Sequence, residues 1–137
     1  MNAPSVDIAD ILESSAVGAG AIGASSGWSI HVSTIPDDSN TPDTVIGLFD
    51  YGGGQPIANY TYDYPQVQVR VRGAKAGYQA AWTKANEIKV ALHGLNNETW
   101  NSTRYIQILC TSDVMFVGYD ENHRPILSTN YQIHRTE

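Results

Sequence analysis

YPQVQVRVRG, residues 64–73, alternates along its length with the period of an extended chain. Val67, Val69 and Val71 fall on one side of it, and Gln66, Gln68, Arg70 and Arg72 on the other. A strand divided in this way buries one face in a core and offers the other to water or to a partner. Directly after it, residues 74–94 change to a helical period. Tyr78, Ala81, Trp82, Ala85, Ile88 and Leu92 share one face, and Gly94 stands where a helix C-cap belongs.

Working outward toward the N-terminus, Ser5 is placed to cap a helix whose first turn carries Asp7. Val6, Ile8, Ile11 and Leu12 form its apolar face, and it is expected to end near Ser15. The glycine- and alanine-rich stretch 16–27 reads as a flexible linker. Residues 28–34 alternate as a strand, with Trp28, Ile30 and Val32 on one face and His31 opposite. Residues 35–43 form a turn-rich loop punctuated by Pro36 and Pro42, and residues 44–50 a second strand. The stretch 51–65 is then a long loop of about 15 residues, a length that inside a compact domain usually serves function.

Toward the C-terminus, residues 102–111 and 114–119 read as strands, and the polar run 120–125 as a turn. Residues 126–135 make a last strand, with Leu127, Thr129, Tyr131 and Ile133 alternating against Ser128, Asn130, Gln132 and His134. The order is α-β-β-β-α-β-β-β. It predicts an α+β fold: one domain over residues 1–137, with a mixed, mainly antiparallel sheet and two helices packed on one face. No internal repeat, heptad or low-complexity tract interrupts it.

Composition narrows the function. A chain of 137 residues with 42% hydrophobic and 16% charged residues is globular and long enough to bury a core without staples. Eight tyrosines and three tryptophans on so weakly charged a chain favour protein contact surfaces. With 14 acidic against eight basic residues and a net charge of −6, nucleic acid is not expected as a principal ligand. The single cysteine, Cys110, allows neither a disulfide within the chain nor a cysteine metal cluster, and reads as a small buried hydrophobe. The first residues lack a basic n-region, so no export and no membrane span is expected. The sequons at Asn59, Asn97 and Asn101 are read as accidents of composition.

The motifs that suggest chemistry each fail on context. Gly18, Gly20 and Gly23 match a dinucleotide fingerprint in spacing, but a helix precedes them where a strand is required. Gly52, Gly53 and Gly54 lack the lysine and hydroxyl residue of a phosphate loop and are read as letting the loop bend. His31, His93, His123 and His134 are scattered without metal-ligand spacing. Asp37, Asp38, Asp120 and Glu121 lie in turns, where aspartate bonds its own backbone. No nucleophile elbow is present. The reading is therefore a protein without cofactor, metal or catalytic residues. Its working surface is the outward strand face with Gln68, Arg70 and Arg72, together with Arg104 and the loop tyrosines Tyr51, Tyr60, Tyr62 and Tyr64, since arginine and tyrosine suit subunit contacts.

Several features in order make the chain resemble a known family. These are the Pro65–Gly73 strand, Tyr78 near the start of the next helix, Leu92 to Gly94 near its end, the Thr103–Ile108 strand, the Gly118–Pro125 turn and the Ser128–Tyr131 strand. In this order they resemble the tail terminator (minor capsid) proteins of long-tailed bacteriophages. His123 departs from the pattern, which has glycine in that turn, and a different turn type is expected there.

The resemblance implies a structural virion protein that forms a six-membered ring on the finished tail tube. Such a ring stops polymerisation of the major tail protein and presents a surface to a head-completion protein. It implies assembly in the host bacterial cytoplasm, a place at the head–tail junction, and DNA passing through the ring without sequence-specific binding. A head-closure (stopper) protein and a small ligand-binding α+β domain or enzyme, using the long loop as a lid, are the alternatives.

Overall fold

A computed structural model describes residues 1–15, 19–58 and 62–136. The elements run α1 (Pro4–Ser14), β1 (Ala21–Ile22), β2 (Ser29–Val32), β3 (Val45–Gly54), β4 (Tyr64–Arg72), α2 (Tyr78–Leu92), β5 (Asn96–Trp100), β6 (Thr103–Cys110), β7 (Met115–Tyr119) and β8 (Pro125–Thr136). The strands form a single sheet in the order β1-β2-β3-β4-β8-β6-β5, with β7 also pairing β8. β1, β2 and β3 are parallel neighbours and every other pairing is antiparallel. The α+β class and the helices on one face are as the sequence reading has them.

β4 is the centre of the sheet. Val71 lies between Ile46 and Leu127, Val69 between Leu48 and Thr129, and Val67 between Asp50 and Tyr131. The three valines are buried in one cluster with Ile8 and Leu12 of α1 and Ala81, Ala85, Ile88 and Leu92 of α2. The period-two pattern of the strand therefore directs the core as expected.

The helix ends follow tertiary contacts more than local signals. Ser5 does not cap α1: it lies inside the helix, and Ala3 at the cap position has no side-chain bond to give. Asp50 of β3 does the work instead. Its carboxylate accepts from the Ser5 backbone N–H at 3.0 Å and from the Ser5 hydroxyl at 2.6 Å, which ties the helix start to the sheet. α2 starts at Tyr78, after a turn in which Gly77 N–H donates to Ala74 C=O at 2.8 Å. Gly94 follows its end with φ +85°, as a glycine there should.

Other boundaries differ from the sequence reading. β3 runs on to Gly54, so the expected 51–65 loop is a hairpin arm whose first strand extends past the core. Within the 16–27 stretch, residues 16–18 lie outside the described residues, Ala19 is buried, and Ala21–Ile22 pair with β2. β5 is a strand that the sequence reading missed, because Asn96–Trp100 is polar. The local signal was the turn: Asn101 and Ser102 both have positive φ, 50° and 65°, as a two-residue hairpin requires. Trp82, expected in the core, is 37% exposed, because the buried stripe runs through Ala81, Ala85, Ile88 and Leu92 and leaves Tyr78 and Trp82 on its flank.

Candidate functional site

The helix-free face of the sheet carries Gln66, Gln68 and Arg70 of β4, flanked by Gly47 and Phe49 of β3 and by Ser128, Asn130 and Gln132 of β8. Arg70 is half-buried there. Its Nε donates to Gln68 Oε1 at 2.9 Å and its guanidinium stands 5.5 Å from the centre of the Phe49 ring. Gln68 and Arg70 are thus one preorganised polar unit with remaining donors available to a partner.

Arg72 is different, and its expected outward role is corrected. It is 2% exposed. Its Nε donates to Asp43 C=O at 2.9 Å, and its two terminal nitrogens to Pro36 C=O at 2.9 Å and Pro42 C=O at 3.1 Å. The loop 35–43 folds back over this end of the sheet, and Ile35 packs so closely on Gly47 that a Cβ there would lie 2.7 Å from Ile35 Cγ1. Arg72 fastens that loop. Burial, and the nearby charge of Arg124, pull its pKa below the ordinary guanidinium value.

Arg124, which the sequence reading did not single out, completes the fastening. It bonds Asp120 at 2.7 Å, Asp43 at 2.9 Å and Asp37 at 3.0 Å. Burial raises the Asp120 pKa, but hydrogen bonds from the Arg124 backbone and guanidinium and from Asn122 N–H outweigh it and hold the carboxyl below its ordinary value. Asp37 and Asp120 are therefore structural, and Asp38 accepts from Asn40 N–H and the Thr41 hydroxyl within its own turn. His123, in the turn with Asp120, takes φ +56°. The expected change of turn type is corrected: histidine occupies the left-handed conformation that a glycine would favour.

Arg104 lies elsewhere. It is exposed at the far end of β6, bonded to Asn97 Oδ1 at 2.7 Å. It stands opposite Thr136 of β8 while Arg70 stands opposite Ser128. That separation is about 26 Å along the strand at ~3.3 Å per residue. The two arginines do not form one patch.

Of the tyrosines, Tyr62 and Tyr64 come together with His134, with ring centres 5.2 Å apart between the tyrosines and 4.8 Å between Tyr64 and His134. Tyr51 is exposed on the hairpin arm. Tyr60 lies outside the described residues.

A second surface was missed altogether. β7 pairs only with β8 among the described residues, and Met115, Phe116, Val117 and Tyr119 on it are all exposed. Phe116 meets Tyr119 at 5.2 Å and Tyr78 of α2 at 5.6 Å between ring centres. The run 114–119 carries no charge. Its strand was legible in the sequence; that one side of it would stand uncovered was not.

No catalytic constellation stands out among the described residues. His93 does approach Cys110, but its Nδ1 accepts the Cys110 backbone N–H at 2.9 Å, and the thiol is directed to Ser112 C=O at 2.6 Å. The imidazole is thus not placed as a base for the sulfur. Among the described residues no group of three or more His, Cys, Asp or Glu side chains is placed to hold a metal ion, and no helix is long and apolar enough to cross a membrane.

Comparison with known proteins agrees with an assembly role. A family model described as bacteriophage tail terminator protein matches residues 15–137. Among solved structures, a chain from the virion of a native gene transfer agent (GTA) particle superposes with a TM-score of 0.71. The match covers 98% of this chain and 96% of that one at 13% identity, so it speaks for the fold alone. No curated protein sequence matches the chain.

Proposed function

Because the chain belongs to the bacteriophage tail terminator family, and is thus a structural virion protein rather than an enzyme, we propose that it closes a ring on the finished tail tube. The family match over residues 15–137 carries this reading. The ring has six copies and sits at the head–tail junction, assembled in the host cytoplasm. One of its faces copies the contact that the next ring of tube protein would make, and the other does not offer that site again. Polymerisation ends, and the exposed face receives the head-completion protein. DNA passes through the ring without sequence-specific contact, in keeping with the net charge of −6.

A closed ring is built from a heterologous contact, so each copy contributes two different patches. The Gln68–Arg70 unit, Arg104, and the arm with Tyr51, Tyr60, Tyr62 and Tyr64 supply polar and aromatic groups for the subunit or tube contacts. Arg72 contributes indirectly, by holding the 35–43 loop at the Arg70 end of the sheet.

The test is direct. Purified protein is mixed with tubes of its tail protein and followed by native mass spectrometry and negative-stain electron microscopy. Six-copy rings capping tubes of defined length are expected. A protein that stays monomeric at high concentration, and leaves tubes uncapped and still growing, refutes the proposal.

A further inference from the structure

We infer that the open edge of β7 receives the β3–β4 hairpin arm of a neighbouring copy of this chain. The inference rests on the ring reading and names the two patches that close it. It starts from the strand edges. An unpaired edge is a template for another strand, and proteins that remain single defend theirs. Here two outer strands are defended. β1 is two residues long, and its Ile22 N–H donates to the Glu13 carboxylate at 2.7 Å. β5 carries Glu98 and is broken by Asn97 at φ +51°. β7 is bulged between Phe116 and Gly118, but it carries no charge. It presents a free backbone edge with Met115 50%, Val117 54% and Tyr119 59% exposed, and without a charge between Val114 and Tyr119.

The occupant follows from what else the chain leaves open. β2 accompanies β3 only as far as Leu48. Beyond it, Phe49, Asp50, Gly53 and Gly54 pair with β4, with a register shift across Tyr51 and Gly52, and the stretch pairs with no other described strand. This second free edge matches the length of β7 and lies on the other side of β4 and β8 in the sheet order. From Tyr51 to Tyr62 the arm is uncharged, and Tyr51 and Ile57 on it are exposed. Gly52 presents bare backbone with open space where a side chain would be, against which the bulky side chains of β7 can lie closely, while Gly53 and Gly54 face Tyr64 of the same arm. Two different edges at separate places on one chain, one uncharged and the other charged only at Asp50, whose carboxylate is already bonded to Ser5, are what a heterologous, ring-closing contact needs.

Cysteine pairs in a Cys110→Ser background test this: Val117→Cys with Tyr51→Cys, and Val117→Cys with Ile57→Cys, oxidised while rings assemble on tubes. A disulfide-linked ladder up to the full ring from a double variant, absent from each single variant, is the expected result. Rings visible on tubes with no ladder from either pair overturn the β7–arm contact and leave the ring reading standing. Failure of the unsubstituted protein to form rings overturns both.

A second variant, Val117→Lys, charges the edge at an exposed site. It should leave the melting temperature of the isolated chain unchanged while weakening self-association by on the order of tenfold or more, the scale of one buried valine. Assembly equal to that of the unsubstituted protein overturns the contact.

Discussion

Arg70 and Arg72 are two residues apart on the same strand, and their replacement by methionine should have different consequences, one in folding and the other in assembly. Methionine keeps an unbranched apolar stem and removes the charge. At position 72 it removes three donors, which lie 2.9, 2.9 and 3.1 Å from the carbonyls of Asp43, Pro36 and Pro42. A hydrogen bond to a charged group contributes about 1.5–3 kcal/mol. The three carbonyls sit on a loop and partly regain water when released, so about half of that sum is lost. Some like-charge repulsion from Arg124 is also relieved.

The net for Arg72→Met is a loss of roughly 3 kcal/mol, or about 10 °C in melting temperature for a domain of this size. Arg70 has only the Gln68 side chain and the Phe49 ring as described partners. Arg70→Met should therefore cost under ~1 kcal/mol in the isolated chain and show its effect in assembly. Urea and thermal unfolding followed by tryptophan fluorescence measure both. An Arg72→Met variant within ~0.5 kcal/mol of the parent, or an Arg70→Met variant as unstable as it, would refute the assignment of Arg72 to loop anchorage.

Three further outcomes follow from single side chains. His123 holds φ +56°, so His123→Gly should raise stability by about 0.5–1 kcal/mol: the left-handed cost of ~1–2 kcal/mol is removed and the glycine entropy partly offsets it. An unchanged or lower melting temperature contradicts this. The Tyr131 hydroxyl is buried without a hydrogen-bond partner among the described residues, so Tyr131→Phe should be neutral or stabilising by up to ~1–2 kcal/mol. Tyr105→Phe, which takes a donor from the buried Asp7 carboxylate, should instead cost about 1.5–3 kcal/mol on the same unfolding curves.

The Asp120 carboxyl titrates below its ordinary value of 3.8 in the folded chain. Its contribution is therefore fully present above that pH and is lost as pH falls below it toward the folded pKa. Asp120→Asn should flatten that part of the acid unfolding profile, and an identical profile would contradict the assignment.

The sequence by itself determined the elements whose signals are local. The Val67, Val69 and Val71 alternation selects a half-buried strand because successive side chains of an extended backbone point to opposite faces. The Ala81–Leu92 stripe and Gly94 mark a helix and its end for equally local reasons. The order of these signals was also enough to show the family resemblance.

The tertiary structure decided the rest, because it depended on groups distant along the chain. Whether an outward arginine is working surface or internal strut is set by what folds over it: the 35–43 loop reaches Arg72 and stops short of Arg70. Ser5 looked like a cap until Asp50, 45 residues away, took that role. Strand 114–119 reads the same from sequence whether its outer side is covered or bare. Only the sheet order, in which β8 has β4 on one side and divides the other between β6 and β7, left that edge open. Periodicity is a property of neighbouring residues; exposure of an edge is a property of the whole sheet.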